Sequence, residues 1–355
     1  MLYAKVRRLD HFLLIFHLLI FTLGAFAILS ADFSSFESQL IFLVVGLALY
    51  FLVAFNDYGF YRSYSWYIYV LGVLSLLGVF AVGISIRGSV RWYDLKVFNF
   101  QPSELAKLFE ILVLAALFSP LSGRYLTSKR IVLSFFLMMI YAFLIVRQPD
   151  LGNGFIVLGI WVIMSLYAGI RFKYIVFLTL SVFLLSFPAW SALHSYQRQR
   201  IISFINPYSD PLSSGYNVIQ SVVAVGSGGI LGRGFGRGTQ SHLNFLPEHK
   251  TDFIFASFSE EWGLLGALIL LGLYCAMLVR ILKISKGSSS DFGSLICVGV
   301  FSLLFVQLLV NIGMNIGIVP VTGITLPLVS YGGSSLIITN LCLGLVQSVA
   351  IKSRL

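Results

Sequence analysis

Residues 293–314 read GSLICVGVFSLLFVQLLVNIGM and contain no Asp, Glu, Lys or Arg. This apolar run has the length of about 20 residues that an α-helix needs to cross the hydrocarbon core of a bilayer. Similar runs recur along the chain, which is 58% hydrophobic and only 11% charged over its 355 residues. Soluble domains are about 25% charged. The composition therefore indicates an integral membrane protein.

Ten apolar runs of suitable length occur in the sequence. They lie at residues 11–30, 40–55, 66–86, 103–119, 131–146, 154–170, 174–193, 253–282, 293–314 and 333–350. We expect an all-α polytopic membrane protein with about ten transmembrane helices, built as one domain over residues 1–355. The connection between the seventh and eighth runs, residues 192–252, is rich in Arg, Gly, Pro, Ser and Asn. Connections of that length commonly carry function.

The positions of Lys and Arg predict the orientation in the membrane. If successive connections alternate between two sides, more than half of the 24 basic residues fall on the side of the N-terminus. The positive-inside rule makes that side cytoplasmic, so both termini are cytoplasmic and the 192–252 connection is extracytoplasmic. The Lys and Arg residues that give the net charge of +10 lie between the apolar runs, where they set the orientation in the membrane. We therefore expect no nucleic acid partner. The outer bases form either a mixed-charge site for an anionic ligand or ordinary loop surface.

Ionisable residues near the starts of two runs are candidates for a functional site. The fourth run begins Gln101-Pro102-Ser103-Glu104, with Lys107 and Glu110 one and two turns deeper. Ionisable groups inside a span are costly in lipid and commonly functional. The alternative is an ion-pair ladder that only lets the helix pack. Asp150, before the sixth run, either caps that helix or belongs to the same site.

The start of the eighth run is unusually polar. Residues 246–255 read LPEHKTDFIF. We expect Thr251 to cap this helix and Asp252 to lie in its first turn, where a carboxylate can act as a general base. Deeper in the same run, we interpret Glu260 and Glu261 as structural partners of basic residues on neighbouring helices.

A proline-containing polar segment precedes the tenth run. We expect it to include NIGMN at 311–315, PVTGITLP at 320–327 and SYGGSS at 330–335. Non-helical backbone at membrane depth is tolerated where it is buried in protein or lines a wet cavity. We therefore expect this segment to form a wall of the site, and the alternative is a re-entrant loop that only fills space.

The long connection contains a glycine-rich stretch, with GSGG at 226–229 and GRGFGRG at 232–238. It matches neither nucleotide-binding fingerprint, so a nucleotide site is not expected. The glycines permit tight turns, and Arg233 and Arg237 are available to phosphate or lipid headgroups.

Taken in order, these motifs resemble the SEDS family (shape, elongation, division and sporulation), whose members are polytopic peptidoglycan glycosyltransferases. The resemblance covers nearly the whole chain. It rests on Arg91-Trp92, Gln101 to Lys107, Gln148 to Gly152, Tyr216 to Ser221, Gly238 to Ser241, Leu246 to Phe255 and Pro320 to Ser335. Asn206 to Leu212 and Gly238 to Ser241 resemble the elongation branch, RodA, rather than the division branch, FtsW.

The resemblance implies a glycosyltransferase of the bacterial cytoplasmic membrane that polymerises lipid II, with a catalytic aspartate at the position of Asp252. It also implies ten helices and a class B penicillin-binding protein as the partner, within membrane lipid. In such an inverting transfer one base removes a proton, and the polyprenyl diphosphate leaves without being protonated. Candidates for binding substrate are Arg91, Glu104, Lys107, Asp150, Arg198, Arg200, Glu248, Lys250, Asn315, Ser334 and Ser335.

Two points stay open in the sequence. A divalent cation, Mg or Mn, held by Glu104 or Asp150 is a candidate cofactor, but no ligand spacing specifies it and we assign no metal ligand. The competing function is a flippase or transporter for the lipid-linked precursor, which predicts ionisable groups near the bilayer midplane and two repeated halves. A third alternative is a scaffold without activity.

Overall fold

A computed structural model of the chain describes residues 6–86, 89–96, 98–119, 128–186, 198, 202, 204–207, 215–243 and 245–353. Each of the ten predicted runs overlaps a helix in these residues. These helices are α1 (His11–Ala31), α2 (Phe33–Phe55), α3 (Gly59–Val82), α4 (Pro102–Phe118), α5 (Ser128–Arg147), α6 (Leu151–Tyr167), α7 (Phe172–Ser186), α10 (Ile254–Lys286), α11 (Asp291–Asn315) and α12 (Gly333–Ser353). Two shorter helices, α8 (Tyr216–Ser227) and α9 (Thr239–His242), precede α10.

Seven of the described helices are long and apolar enough to span a membrane, namely α1, α2, α3, α5, α10, α11 and α12. Helices α4, α6 and α7 are shorter, and α4 carries Glu104, Lys107 and Glu110 within its 17 residues. The prediction of an all-α polytopic membrane protein is confirmed. The number of ten spans stays a prediction.

The helices differ in how much of their surface is buried in protein. Nearly all of α12 is buried, and so is most of α4 and α11, whereas α2 and α3 expose large apolar side chains such as Val44 and Tyr67. Helix α12 packs on α2, α4 on α3, and α11 on α6 and α10. Polar side chains are tolerated on the inner helices because protein groups can satisfy them there.

A small antiparallel sheet replaces the predicted end of the third helix. The apolar run predicted a helix as far as residue 86, but α3 ends at Val82 and a sheet of β1 (Ile84–Ile86), β2 (Ser89–Asp94) and β3 (Asn99–Phe100) follows. An apolar run alone does not separate helix from strand over so few residues. The Tyr93 hydroxyl donates to the Ser75 carbonyl at 2.8 Å, which ties β2 to α3.

The glycine-rich stretch packs into a break in α10. Gly263 has φ 65° and ψ −169°, which interrupts the helix, and a Cβ there would clash with the backbone of Gly232. The freed backbone groups are satisfied across the break, because Leu264 N–H donates to the Gly229 carbonyl at 2.9 Å and Gly234 N–H donates to the Glu261 carbonyl at 3.0 Å. These glycines therefore permit a close backbone contact.

Glu260 lies on α10 just before this break and is fully buried. Its buried carboxylate is 3.8 Å from the Arg233 guanidinium and accepts from the Thr239 hydroxyl at 3.0 Å. The prediction that Glu260 partners a basic residue is confirmed, although the base comes from the glycine-rich stretch rather than from a neighbouring helix. The Glu261 carboxylate accepts from the Ser30 hydroxyl on α1, and its basic partner stays a prediction.

Candidate active site

Polar side chains from distant parts of the chain meet at one end of the bundle. Helices α4, α6, α10 and α12 begin there, and the turn between α1 and α2 lies at the same end. Two groups of residues can be distinguished. The Asp150 cluster comprises Arg91, Gln101, Glu104, Lys107, Asp150 and Asn153. The Asp252 turn comprises residues 248–253 before α10.

Asp150 is the centre of the first cluster. Its carboxylate accepts from the Asn153 N–H at 3.2 Å and so caps α6, as one of the two sequence readings predicted. It also accepts from the Gln101 side-chain amide at 2.9 Å and from the Asn153 side-chain amide at 2.9 Å. The Arg91 guanidinium lies 3.6 Å away. Strand β2 supplies Arg91, and the first residues of α4 and α6 supply the rest.

Lys107 extends this cluster into the bundle. The side chain is fully buried, and its ammonium donates to the Glu104 carboxylate at 2.6 Å and to the Asn153 side-chain oxygen at 2.8 Å. A buried charge must be paired and hydrogen-bonded to be tolerated, and both conditions hold here. Glu110, one turn deeper, is buried with no hydrogen-bond partner for its carboxylate among the described residues.

The Asp252 turn differs from the sequence prediction in its helix cap. Helix α10 begins at Ile254, so Asp252 lies in the turn before the helix rather than in its first turn. Thr251 does not cap α10, because its hydroxyl donates to the Glu248 carboxylate at 2.9 Å. The side-chain oxygen of Asn315, on α11, instead accepts from the Ala256 N–H at 3.0 Å. A cap from another helix has no signal in the local sequence.

Three successive carbonyl groups of this turn are held by other parts of the chain. The Lys250 carbonyl accepts from the Tyr331 N–H at 2.9 Å, and the Thr251 carbonyl accepts from the Ser330 hydroxyl at 2.6 Å. The Asp252 carbonyl accepts from the side-chain amides of Asn311 at 3.0 Å and Asn315 at 3.1 Å. The backbone that carries the half-buried Asp252 side chain is therefore fixed to α11 and to the segment before α12.

The Lys250 side chain points to the turn between α1 and α2. Its ammonium donates to the Asp32 carboxylate at 2.8 Å and lies 3.3 Å from the Ser35 hydroxyl. Asp32 also accepts from the N–H groups of Ser34 and Ser35, which caps α2. The hydrogen bonds from Lys250 and the two serines hold the pKa of Asp32 well below its usual range.

Residues 316–332 connect the two groups. The space beside Gly152, at the start of α6, is filled by the Ile324 side chain and the Thr322 carbonyl. At the other end, the Ser334 hydroxyl accepts from the Gln101 N–H at 3.0 Å. The Ser335 hydroxyl accepts from the Thr325 hydroxyl at 2.9 Å. The segment is non-helical backbone between the two groups, buried at 326–330 and exposed at Ile316 and Ile318. Its role as a wall of the site stays a prediction.

Two further arginines were predicted to contact substrate. Arg198 is partly exposed, and Arg200 lies outside the described residues. Their roles, and those of the other predicted site residues, stay predictions.

The described residues do not fit the predicted divalent cation. No group of three His, Cys, Asp or Glu side chains among them is close enough to hold a metal ion. The carboxylates of Glu104 and Asp150 instead accept hydrogen bonds from Lys107, Gln101 and Asn153.

Sequence reasoning overlooked several residues of this end of the bundle. Asp32 gave only the signal of a helix cap, and Asn153 gave none that separated it from other polar residues. Asn315 was predicted only as a substrate contact, although it and Asn311 lie four residues apart at the end of an apolar run, which places both amides on one face of a helix. That spacing could have identified them as a pair.

Comparison with known sequences gives concordant matches. A family profile described as cell cycle protein, covering FtsW, RodA and SpoVE, matches residues 10–355. The peptidoglycan glycosyltransferase MrdB of Escherichia coli strain K12 is 37% identical over 345 residues, covering 96% of this chain and 93% of MrdB. Stage V sporulation protein E of Bacillus subtilis strain 168 is 37% identical over 359 residues, covering 97% and 98% respectively.

Solved structures agree with these matches. A chain of a peptidoglycan synthase complex, described as coordinating polymerization and crosslinking, has a TM-score of 0.82 and 35% identity, covering 97% of this chain and 98% of that chain. The rod shape determining protein RodA of Thermus thermophilus has a TM-score of 0.74 and 31% identity, with 96% of each chain covered. The chain therefore belongs to the FtsW/RodA/SpoVE family of integral membrane proteins, the SEDS family that its motifs resemble.

Proposed function

We propose that this chain is a peptidoglycan glycosyltransferase that polymerises lipid II into glycan strands during cell elongation, with Asp252 as the general base. The observation that carries the proposal is a half-buried carboxylate on a turn whose three carbonyl groups are held in place. Precise placement is what a general base requires. Relatives named as peptidoglycan glycosyltransferases support the reaction class.

The reaction needs one base and a stabilised leaving group. The hydroxyl oxygen of the acceptor sugar forms a bond to the anomeric carbon of the donor, while the bond from that carbon to the diphosphate oxygen breaks. Asp252 takes the hydroxyl proton, and the polyprenyl diphosphate leaves with the bonding electron pair. Because the hydroxyl oxygen attacks from the face opposite the leaving group, the anomeric configuration is inverted. A glycosidase needs a second carboxyl group to protonate its leaving group, but a diphosphate leaves as an anion.

Arg91 is the cation that we assign to the diphosphate. Its side chain is 22% exposed, and one guanidinium nitrogen faces Asp150. Its Nε is buried and has no hydrogen-bond partner among the described residues, so the exposed part of the guanidinium is the part that we assign to the diphosphate. Lys107 is fully buried and bonded to Glu104, and it contributes positive potential rather than direct contact.

Six of the other candidates are proposed as a second group of substrate contacts, namely Glu248, Lys250, Ser334, Ser335, Arg198 and Arg200. Lys250 is the counter-ion of Asp32, and Glu248 accepts from Thr251. Ser334 and Ser335 line the segment between the two groups. Arg198 and Arg200 are proposed to meet the substrate from the 192–252 connection.

We further propose that this end of the bundle is extracytoplasmic and that both termini are cytoplasmic, in the bacterial cytoplasmic membrane. Support comes from the opposite end, which carries the basic residues Arg280, Lys283, Lys286 and Lys352. A class B penicillin-binding protein is the proposed partner, supported by the similarity to a chain of a peptidoglycan synthase complex. The flippase alternative gains no support from the names of the relatives.

The test is polymerisation of purified lipid II in detergent, with and without a cognate class B penicillin-binding protein. We expect Asp252→Asn to reduce the rate by about 10² to 10⁴-fold, because it keeps the shape and removes the base. Asp57→Asn is the matched control, since Asp57 lies at the opposite end, where it accepts from the Gly59 N–H at 2.8 Å and pairs with Lys352.

The outcomes separate the two parts of the proposal. Undiminished polymer from Asp252→Asn would remove Asp252 as the base and leave the glycosyltransferase intact. Absence of polymer from the wild type, even with the partner present, would overturn the glycosyltransferase itself. Lipid II transport across sealed vesicles would then be measured to test the flippase.

A further inference from the structure

We propose that Asn311 and Asn315 are positioning residues that set the geometry of Asp252 through its backbone. The two asparagines lie one turn apart on the same face of α11, and both are fully buried. This inference rests on the proposed role of Asp252 as the general base. It assigns the two amides a part in the rate of the chemical step, and it replaces substrate contact as the role of Asn315.

Asn311 links the Asp252 turn to the segment before α12. Its side-chain amide donates to the Asp252 carbonyl at 3.0 Å and to the Ile324 carbonyl at 2.7 Å. Both hydrogens of the amide group are thereby used. Since Ile324 also packs against Gly152 at the start of α6, Asn311 fixes the position of Asp252 relative to the element that carries Asp150.

Asn315 holds the turn from two directions. Its amide nitrogen donates to the Asp252 carbonyl at 3.1 Å and to the Asn311 carbonyl at 2.8 Å. Its side-chain oxygen accepts from the Ala256 N–H at 3.0 Å and so provides the missing cap of α10. One side chain thus defines where the turn ends and where the helix starts.

Neither amide is open to substrate, because both side chains are fully buried. Both polar atoms of Asn315 are bonded to protein. The carbonyl of Asp252 receives two donors from one helix. Such an arrangement restricts the main chain while the side chain remains accessible to an acceptor hydroxyl, which is the property required of supporting groups around a reactive residue.

Isosteric variants test this assignment. Asn315→Asp keeps an acceptor for the Ala256 N–H but removes the donor to the Asp252 carbonyl. Asn311→Asp removes the donors to the carbonyls of Asp252 and Ile324. Asn311→Ser is the second variant for the case in which a new carboxylate prevents folding, because it removes the amide without adding a charge.

The matched control is Asn340→Asp. Asn340 is a fully buried asparagine on α12 whose amide donates to the Leu336 carbonyl at 2.8 Å. It packs against Gly46 of α2, away from the Asp252 turn. The same isosteric change at this position reports the general consequence of altering a buried amide.

The measurement is steady-state polymerisation of lipid II per folded molecule, with kcat and KM determined separately and folding followed by thermal unfolding in detergent. We expect kcat of each Asn311 and Asn315 variant to fall by about 10 to 100-fold with KM changed less than about twofold, because a misplaced base slows chemistry without weakening binding. The Asn340→Asp protein is expected to retain its kcat.

The proposal is overturned if the folded Asn311→Ser and Asn315→Asp proteins keep the wild-type kcat, or if they lose no more kcat than Asn340→Asp does. A rise in KM at constant kcat would also overturn it and would restore Asn315 as a substrate contact. Failure of the proposed function is distinguishable, since in that case the wild type itself forms no polymer or Asp252→Asn remains fully active.

Discussion

The Asp150 cluster and the Asp252 turn lie at the same end of the bundle but are stabilised in opposite ways. Around Asp150 the side chains bind one another, with Lys107, Glu104 and Asn153 buried and paired. At Asp252 the main chain is held, and the side chain is only half-buried. The contrast separates a region in which side chains hold one another from a turn in which the main chain is held, and on the proposed function that turn carries the general base.

The physical reason is the cost of charge in a low-dielectric environment. A buried ion pair is tolerated only when each partner is present and its remaining groups are hydrogen-bonded. A base, however, must exchange a proton with substrate and cannot be enclosed by donors on every side. Rigidity at Asp252 therefore comes from backbone carbonyls, which take no part in the reaction.

The largest expected effect on stability breaks the Asp150 cluster. Lys107→Met leaves Glu104 buried without its counter-ion, and we expect a loss of about 3 to 5 kcal/mol in the free energy of unfolding. The loss is measured as a decrease in thermal unfolding temperature in detergent. The double variant Lys107→Met with Glu104→Gln is expected to recover most of it, and a single variant as stable as the wild type would contradict the prediction.

A smaller loss of stability is expected when either aspartate is replaced by alanine, and the two losses can be compared directly. Asp150→Ala removes the α6 cap and leaves the amides of Gln101 and Asn153 without their acceptor, so we expect a loss of about 1 to 3 kcal/mol. Asp252→Ala keeps every contact of the Asp252 carbonyl and is expected to be less destabilising. Thermal unfolding of the two variants under identical conditions tests this order, and equal losses would refute the distinction.

The smallest effect concerns the exposed edge of the Asp252 turn. Lys250→Met removes the partner of Asp32 in an ion pair that is partly open to solvent, so we expect a loss of no more than about 1 kcal/mol near neutral pH. Because the pKa of Asp32 is lowered in the folded protein, the pair contributes stability above the ordinary carboxylate pKa. That contribution is lost as the pH falls through the lowered pKa.

Thermal unfolding of the wild type and Lys250→Met as a function of pH measures this contribution. The difference between the two proteins is expected to be constant from neutral pH down to about 4 and to shrink below it. A difference that grows on acidification would show that the sign is wrong. High salt is expected to reduce the difference at neutral pH.

Much of the candidate site was accessible from sequence because its residues interrupt apolar runs. Lys107 and Glu104 are conspicuous inside a predicted span, and their pairing follows from a spacing of three residues. The capping role of Asp150 was likewise one of the two interpretations that its position before an apolar run suggested. In contrast, Thr251 has the local signature of a helix cap but bonds to Glu248, since Asn315 occupies the end of α10.

The sequence by itself determined that this is a polytopic helical membrane protein and indicated its family, because hydropathy, helix length and motif order are properties of contiguous residues. Only the tertiary structure decided that Lys250 pairs with Asp32, 218 residues away, and that Asn311 and Asn315 hold Asp252. Which distant residues become hydrogen-bond or ion-pair partners depends on how the helices pack against one another. Buried polar groups must be satisfied, but the sequence does not state which of many distant donors satisfies each acceptor.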